Sequence, residues 1–385
     1  MSVSNKRRRM VLGAGGLLLP MVPMPSAAGE PEQVIPIGFA AGLGNKLQST
    51  LSFSARDGAL LAIEQANQRS PVIGGKPTRF SLMVIDDQSD PNFARIAARA
   101  FVTAKVAAVI GHDTTDTSVA TTAIYADAGV AQVTPTATGR VLTSRGFQNV
   151  FQLVGHSDIT TDLLASIAVS DIGAGRIAVL DNGTQLGSAL AEGFITKLQF
   201  EGLTPVARES VTPKTSEFGA PLSRIKQQRP DLLFFAGVGP QVAIFLDNVL
   251  RMKLDSKLLV TGGAVNLEFP QAGPFPDRAL LLLHGLPVEK RPGFAEFDKN
   301  YRRRYESALS AYSMFSYDAA GMLMEAIQRV GSADPRLITA EMHRLKYRGL
   351  SGTVAFAADG SQVNPPYTLY ETASRRWQAL KSFGG

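Results

Sequence analysis

Short apolar segments alternate with helical segments along the chain, and this alternation restricts the possible fold more than any other feature of the sequence. Strands are predicted at Val34–Phe39, Phe80–Ile85 and Val106–Ile110. Between them, apolar residues recur at helical spacing from Ser54 to Arg69, and Asp90-Pro91 marks a helix start with proline in the first turn. Strands that are separated by helices pair in parallel, so this part is predicted to form a doubly wound parallel sheet.

The alternation restarts after Phe151-Gln152-Leu153 and predicts a second α/β domain. Further strands are predicted at Arg176–Leu180, Pro205–Glu209, Leu232–Ala236, Leu258–Thr261, Ala279–His284, Gly352–Phe356 and Tyr367–Glu371. The run Leu232–Gly237 is apolar throughout, which is typical of a strand that is buried on both faces. A chain of 385 residues is long enough for two such domains. We therefore predict an α/β fold with two doubly wound parallel-sheet domains.

Clusters of threonines follow two neighbouring strands of the first predicted sheet. One lies in a polar loop, Gly111–Ser118, and the other follows the strand Val130–Val133. The threonines of the two clusters are Thr114, Thr115, Thr117, Thr134, Thr136 and Thr138. Ligands of open α/β sheets bind beyond the carboxyl ends of the strands, where helix N-termini present free N–H groups to anions. We interpret the clusters as one cradle for a small anionic or zwitterionic ligand, the alternative being that they only cap helices and shape turns.

The sequence lacks the signals of catalysis, of a metal site and of a bound cofactor. It contains no cysteine, which excludes disulfides and thiolate chemistry. It has neither a GxxxxGK phosphate loop nor a GxSxG nucleophile motif, and Gly42-Leu43-Gly44 lacks the rest of a dinucleotide fingerprint. The histidines are too far apart for metal-ligand spacing, and His112 is expected to be structural or solvated. Turn and cap chemistry explains Asp86-Asp87 more simply than a metal does.

The N-terminus predicts export from the cytoplasm. The formal net charge of the chain is +6, and a basic group, Lys6–Arg9, precedes the short apolar stretch Met10–Met24. That stretch is too short and too interrupted by proline to span a membrane, and Ser26-Ala27-Ala28 offers small residues for cleavage. Residues 1–28 are predicted to be a cleaved export signal, whose paired arginines also resemble a twin-arginine signal. The alternative is a cytoplasmic protein with a disordered basic tail. No basic patch interleaved with aromatic residues supports nucleic-acid binding.

Three segments resemble the leucine/isoleucine/valine-binding protein family, which are type I periplasmic binding proteins of ABC transporters. They are VIDDQSDPNFA (Val84–Ala94), the stretch Ala108–Thr138 with both threonine clusters, and LTSRGFQNVFQLVG (Leu142–Gly155). Weaker similarity continues through Arg176–Gly187, Pro230–Gly237 and Phe315–Ala320. The resemblance covers nearly the whole chain that follows the predicted signal.

The resemblance implies two lobes joined by three crossovers, with the ligand clamped between the lobes. The N-terminal lobe would comprise residues 34–154 plus 287–363, and the C-terminal lobe residues 155–286 plus 364–385. It implies no catalytic activity and no cofactor. It implies a periplasmic protein, not inserted in the membrane and expected to be monomeric, that serves the permease subunits of an ABC importer. The alternative is a ligand sensor of the same fold that acts on a signalling partner.

The resemblance also assigns ligand contacts in both lobes. The matching residues are Thr115, Thr136 and Thr138 for the ligand carboxylate, Asp113, Thr114 and Tyr312 for its side chain, and Leu186 and Val238 from the second lobe. A family disulfide would join the positions of Ser89 and Thr114, so it is absent here.

A second departure concerns the ligand ammonium. Gly263 stands where amino-acid binders hold the ammonium with an acidic residue. A buried ammonium without an acceptor costs on the order of several kcal/mol. We therefore expect a small carboxylate with an apolar body, which is either a hydrophobic amino acid or a related organic acid. For an amino acid, Asp113 or Glu268 would have to take over the ammonium role.

Overall fold

The computed structural model describes residues 32–44, 49–237, 241–261, 277, 279–307, 309–374 and 376–385. Its strands are β1 (Gln33–Ala41), β2 (Val72–Ile73), β3 (Lys76–Asp86), β4 (Ala108–Ile110), β5 (Ala131–Thr134), β6 (Val150–Gln152), β7 (Ile177–Asp181), β8 (Ala207–Ser210), β9 (Leu232–Ala236), β10 (Lys257–Thr261), β11 (Ala279–His284), β12 (Tyr347–Gly349), β13 (Gly352–Val354), β14 (Tyr367–Ala373) and β15 (Arg376–Phe383). Its helices are α1 (Ser49–Gln68), α2 (Pro91–Thr103), α3 (Thr115–Asp127), α4 (Ser157–Ser166), α5 (Gln185–Phe200), α6 (Gly219–Gln227), α7 (Gln241–Arg251), α8 (Phe294–Arg304), α9 (Ala311–Val330) and α10 (Pro335–Met342). The predicted export signal, residues 1–28, lies outside the described residues.

The first sheet has the strand order β2-β3-β1-β4-β5-β6 and is parallel apart from its β2 edge. Helices α1 and α9 cover one face, where Ile63 and Phe315 belong to the same buried cluster. Helices α2 and α3 cover the other face, where Phe101 and Tyr125 are buried with Val109. Because both faces are covered, β4 and β5 are buried along their full length. The predicted doubly wound parallel sheet is confirmed.

The second sheet has the order β15-β14-β11-β10-β9-β7-β8, with β14 and β15 antiparallel at one edge. Helices α4 and α5 pack on one face, and α6 and α7 pack on the other. Every residue of β9 is buried, as its apolar sequence predicts. The edge strand β15 was not predicted. Most of its residues are exposed, so its sequence lacks the apolar run that marks a buried strand.

The chain passes between the two sheets three times. It leaves the first sheet after β6, returns after β11 through α8, and leaves again between β13 and β14. On the return passage, Ile338 of α10 and Val354 of β13 join the buried cluster of the first sheet. The predicted strands on either side of the Asp359-Gly360 turn are therefore in separate sheets, since β13 pairs with β12 and β14 pairs with β11. This is the predicted two-lobed fold with three crossovers.

The start of α2 agrees with its sequence signal. Asp90 caps the helix, because its carboxylate accepts hydrogen bonds from the N–H groups of Asn92 at 2.7 Å and Phe93 at 3.3 Å. Pro91 occupies the first turn, where a missing N–H has no cost. Among the helices in the described ranges, none is both long enough and apolar enough to cross a membrane.

Candidate ligand-binding site

The first part of the candidate site is the turn between β4 and α3. Thr114 is the N-cap of α3, and its hydroxyl oxygen accepts a hydrogen bond from the Thr117 N–H at 3.2 Å. A threonine at this position stabilises a helix start, because it satisfies one of the free N–H groups of the first turn. The helix therefore begins at Thr115, and the predicted polar loop that extended to Ser118 was too long. Thr115 is buried as the first residue of the helix.

The second part follows β5 and is held against the first part by hydrogen bonds. Thr136 donates its hydroxyl proton to the main-chain oxygen of Asp113 at 2.8 Å. Two residues further on, the main-chain oxygen of Thr138 accepts a hydrogen bond from the N–H of Ser157 at 2.8 Å. Ser157 is the first residue of α4, which packs on the second sheet. The threonine segment therefore joins the carboxyl end of β4 to the start of a helix from the other lobe.

The three threonines that the resemblance assigns to the ligand carboxylate, Thr115, Thr136 and Thr138, differ in whether the hydroxyl proton is free. The hydroxyl oxygen of Thr115 accepts the N–H of Gly139 at 3.1 Å, which leaves its own proton available. The hydroxyl of Thr138 makes no hydrogen bond with any other residue in the described ranges. Thr136 has already donated its proton to Asp113. Side chains of Thr115 and Thr138 can therefore donate to an anion, whereas that of Thr136 can only accept.

A cavity of about 220 Å³ borders Thr115 and lies between helices of the two sheets. Its lining consists of Thr115, Gly139, Arg140, Val141, Ser157, Asp158, Thr161, Gln185, Leu186, Ala189 and Gly193. The first residues of three helices meet here, namely Thr115 of α3, Ser157 of α4 and Gln185 of α5. Helix starts carry free N–H groups and a partial positive charge, so their convergence suits a carboxylate. The volume is below the range of about 300–1,000 Å³ that is usual for drug-sized ligands, which favours a small ligand.

Arg140 adds a cation to the same cavity. Its guanidinium pairs with Asp359 at 2.9 Å and lies 3.9 Å from the carboxylate of Asp158. Sequence reasoning did not select Arg140 or Ser157 as site residues. A signal was present for Ser157, because a serine followed by Asp158 has the composition of a helix start. Arg140 carries no such local signal, and only the packing of its segment against α4 and α5 brings it to the cavity.

Asp113 lies between the cradle and β1. Its Oδ2 accepts hydrogen bonds from the Gly42 N–H at 3.2 Å and from the Ser52 hydroxyl at 2.9 Å. Its Oδ1 is buried and has no hydrogen-bond partner in the described part of the chain. Burial, followed by the nearby charge of Asp87, raises the pKa of Asp113 to about 6. Tyr312 of α9 is close enough that, after burial, the charge of Asp113 also raises the pKa of its phenol.

The predicted contacts from the second lobe are described only in part. Leu186 is the second residue of α5, packs against the core of the second sheet and lines the cavity. Val238 and Gly263 lie outside the described residues, and so does Glu268. The structure therefore brings Thr115 and Leu186 to one cavity, with each of them coming from a different lobe.

His112 has the structural role that the sequence suggested, and it is not solvated. Its ring is fully buried, with Nδ1 2.5 Å from Oδ2 of Asp87 and Nε2 3.0 Å from the Tyr125 hydroxyl. Its main-chain oxygen accepts the hydroxyl proton of Thr134 at 2.9 Å. The other oxygen of Asp87 accepts the N–H of Ser89 at 2.9 Å, which is turn chemistry. Within the residues that the structure covers, no group of three His, Asp or Glu side chains could hold a metal ion.

A larger groove of about 980 Å³ lies elsewhere, between α1, α8, α9 and the β12–β13 hairpin. It is wide and open, and Arg69, Glu296, Tyr317 and Arg348 are among the residues that line it. None of the predicted site residues borders it. Size alone therefore does not decide which of the two cavities is the better candidate for a ligand site.

Comparison with known proteins places this geometry in context. The family model described as periplasmic binding protein matches residues 35–376. A leucine-, isoleucine-, valine-, threonine- and alanine-binding protein of Pseudomonas aeruginosa is 24% identical over 316 residues, which is 82% of this chain and 84% of that protein.

Two solved structures show the same fold. The branched-chain amino acid transporter substrate-binding protein LivJ from Streptococcus pneumoniae, in complex with isoleucine, has a TM-score of 0.79 at 20% identity, covering 91% of this chain and 99% of that one. A solute-binding protein of an ABC transporter from Rhodopseudomonas palustris, in complex with p-hydroxybenzoic acid, has a TM-score of 0.79 at 20% identity, covering 91% and 97%.

Proposed function

Because the chain belongs to the periplasmic binding protein family, within the leucine/isoleucine/valine-binding group, we propose that it is the substrate-binding component of an ABC importer. The family consists of substrate-binding proteins rather than enzymes. We further propose that the ligand is a small carboxylate and that it binds in the cavity between the two sheets.

The observation that carries this proposal is the meeting of three helix starts at one small cavity. Thr115 comes from the first sheet's helix α3, while Ser157 and Gln185 come from α4 and α5 of the second sheet. A carboxylate there would receive main-chain N–H groups and the free hydroxyl proton of Thr115, and Thr138 directly precedes Gly139 of the cavity lining. Arg140 also lines the cavity, although its guanidinium is already paired with Asp359 and lies near Asp158. An anion bound at this point would therefore contact both lobes at once.

Contacts with both lobes would couple binding to closure. We assign residues 34–154 plus 287–363 to the first lobe and residues 155–286 plus 364–385 to the second. A ligand that touches both lobes binds the closed arrangement more tightly than the open one, and so shifts the population towards closure. The permease subunits of the importer would then recognise the closed form.

The relatives suggest two ligand classes, both of which carry a carboxylate. One similar protein is named for leucine, isoleucine, valine, threonine and alanine, and another was solved with p-hydroxybenzoic acid. For this chain we propose a hydrophobic amino acid or a related organic acid. We also propose a periplasmic location, with residues 1–28 acting as a cleaved signal, and a monomeric mature chain.

The test is calorimetric titration of the purified mature protein with matched acids and amides. Leucine, 4-methylpentanoate, benzoate and 4-hydroxybenzoate form the acid set, and leucinamide and benzamide remove the carboxylate charge. We expect at least one acid to bind and its amide to bind at least about 100-fold more weakly, because several hydrogen bonds to charge are lost. Equal affinity for an acid and its amide would contradict the proposal.

Substitutions of the cradle threonines test whether these residues contact the ligand. Thr115→Val and Thr138→Val should each weaken acid binding by about 1.5–3 kcal/mol, the usual contribution of a hydrogen bond to a charged group. Thr115→Ser keeps the hydroxyl and should retain most of the affinity. Thr196→Val, on the exposed side of α5, is the matched control and should bind like the wild type. Unchanged binding by both cradle variants would exclude the threonines from the site.

A further inference from the structure

We infer that Tyr367 is a positioning residue for the proposed site, because its side chain joins the three crossovers and so fixes how the two lobes can close. Tyr367 is not among the residues that line the cavity beside Thr115, so it would act without touching the ligand. The inference rests on the proposed function, since a ligand that contacts both lobes needs them at a defined distance. It extends that function by assigning control of closure to a residue outside the site.

The first observation is that the ring of Tyr367 lies against the second crossover. His284, the last residue of β11, pairs with Tyr367, the first residue of β14, and their ring centroids are 4.7 Å apart. The main chain extends this contact, because the N–H of Gly285 donates to the oxygen of Pro366 at 2.7 Å. The second and third crossovers therefore meet the second lobe at one point.

The second observation is that the phenol hydroxyl of Tyr367 reaches the first crossover. It donates to the main-chain oxygen of His156 at 3.4 Å and lies 3.2 Å from the Thr160 hydroxyl in α4. A Cβ on Gly155 would overlap the Tyr367 hydroxyl oxygen and lie 2.7 Å from its Cζ, so glycine permits this close approach. Tyr367 is only 1% exposed. One buried side chain thus contacts the second-lobe ends of all three crossovers.

The third observation connects this contact with the proposed site. His156 directly precedes Ser157, the first residue of α4, which lines the cavity. The Ser157 N–H donates to the main-chain oxygen of Thr138, in the first lobe, at 2.8 Å. Because Tyr367 holds the main chain one residue before Ser157, it sets where the two lobes meet. Removing the hydroxyl should leave both lobes folded but allow the distance between them to vary.

The distance between the lobes is measurable with spin labels, because the chain contains no cysteine of its own. Ala123→Cys in α3 and Gln199→Cys in α5 replace exposed residues, one in each lobe. Electron–electron double resonance on the labelled mature protein gives the distribution of label distances without ligand and with the tightest-binding of the four acids. Calorimetry gives the affinity for the same acid.

Two substitutions remove the contact from opposite sides. Tyr367→Phe keeps the ring but lacks the hydroxyl, and Gly155→Ala displaces that hydroxyl. Each should broaden the ligand-free distance distribution, and the phenylalanine variant should bind the acid about 3–10-fold more weakly, the equivalent of one neutral hydrogen bond. Because the closest overlap involves the hydroxyl oxygen, the double variant should bind no more weakly than Gly155→Ala alone.

Tyr301→Phe is the matched control for the loss of a buried phenol hydroxyl. The Tyr301 hydroxyl lies 2.6 Å from that of Ser307, and its ring packs with Leu61 of α1 in the first lobe. This variant should keep the wild-type distances and affinity. Thermal melting by circular dichroism confirms that each variant is folded.

The outcomes separate the inference from the proposed function. If both Tyr367→Phe and Gly155→Ala broaden the distances and weaken binding while Tyr301→Phe does neither, both are supported. If the wild type binds an acid but the two variants keep its distances, the proposed function holds and the inference is wrong. Equal broadening in Tyr301→Phe would also overturn the inference. If no acid binds the wild type, the proposed function is contradicted, and the ligand-free distances of the variants alone decide the inference.

Discussion

Thr136 donates its hydroxyl proton to the main-chain oxygen of Asp113 across 2.8 Å, and this bond ties the carboxyl end of β5 to that of β4. The acceptor is buried together with the donor. Because the proton is used inside the protein, Thr136 differs from Thr115 and Thr138, although all three have the same chemistry. Its side chain holds the cradle together, and the other two are free to contact a ligand.

Thr136→Val should therefore destabilise the protein. Valine has the same shape but leaves the Asp113 carbonyl oxygen without this partner, and an unsatisfied buried group costs about 1–3 kcal/mol. Urea unfolding followed by circular dichroism measures the change in the free energy of unfolding. Thr136→Ser retains the hydroxyl and serves as the control, with an expected loss of well under half that of valine. A valine variant as stable as the wild type would show that this hydrogen bond makes no net contribution to the free energy of unfolding.

The buried carboxyl group of Asp113 should make stability depend on pH in a defined direction. Its pKa is raised from 3.8 to about 6 by burial and then by the charge of Asp87, while Gly42, Ser52 and His112 act in the opposite direction. The folded protein thus holds this proton more tightly than the unfolded chain does. The contribution of the group to stability is fully present below pH 4 and is lost as the pH rises through about 6.

Asp113→Asn isolates this contribution from those of other carboxyl groups. The free energy of unfolding of the variant, relative to wild type, should rise between pH 4 and pH 7 by about 2–3 kcal/mol and then level off. Urea unfolding at intervals of half a pH unit gives the curve. Asp127→Asn, an exposed carboxyl at the other end of α3, is the control and should show a much smaller change. A flat difference curve for Asp113→Asn would mean that its carboxyl titrates normally in the folded state.

The architecture could be predicted from the sequence because its signals are local. The apolar run of β9 and the Asp90-Pro91 start of α2 depend on residues that are adjacent in the chain, and both were predicted correctly. The strand β15 was missed because it is mostly exposed, so nothing in its composition marks it as a strand. It forms only because β14 offers an open edge next to it.

The sequence predicted which residue types would form the candidate site. It did not predict the role of each residue in that site. The two threonine clusters that follow neighbouring strands indicated a hydroxyl cradle, and the family resemblance assigned Thr115, Thr136 and Thr138 of these clusters to the ligand carboxylate. Which hydroxyl proton is free depends on contacts with Asp113 and Gly139, and those are set by packing between segments that are more than twenty residues apart. The unsatisfied oxygen of Asp113 is a property of the folded structure for the same reason.

Gly139 should be required for the position of Thr115. Its backbone conformation, with φ −62°, is one that any residue can adopt. Only steric overlap with neighbouring atoms therefore disfavours a side chain at this position. A Cβ at this position would overlap Cγ2 of Thr115 and lie 2.9 Å from its hydroxyl oxygen. Gly139→Ala should therefore displace Thr115 and weaken binding of the preferred acid by about 10–100-fold, the equivalent of one hydrogen bond to charge.

A second substitution tests whether this loss comes from the overlap. Thr115→Ser removes Cγ2 but keeps the hydroxyl, so the double variant Gly139→Ala with Thr115→Ser should recover most of the lost affinity. Calorimetry gives the four affinities of the cycle, and such neighbouring sites are expected not to be additive. If the double variant binds no better than Gly139→Ala alone, the effect of alanine must arise from the backbone rather than from contact with Thr115.

Substitutions of His112 and Asp87, which form a buried pair, should have strongly coupled effects on the free energy of unfolding. The atoms Nδ1 and Oδ2 are 2.5 Å apart, both side chains are fully buried, and Tyr125 satisfies the other ring nitrogen at 3.0 Å. Removing one partner leaves the other buried and unsatisfied, so His112→Leu and Asp87→Leu should each cost about 3–5 kcal/mol. The double variant should cost clearly less than the sum, by at least about 1 kcal/mol.

Urea unfolding of the wild type, the two single variants and the double variant closes this cycle. Because the His112 carbonyl oxygen accepts the Thr134 hydroxyl, weakening the pair should also loosen the turn that leads to Asp113 and Thr115. The single variants that remain folded should therefore bind the preferred acid more weakly than the wild type does. Additive free energies, within about 0.5 kcal/mol, together with unchanged binding, would show that the pair neither interacts in the folded state nor positions the site.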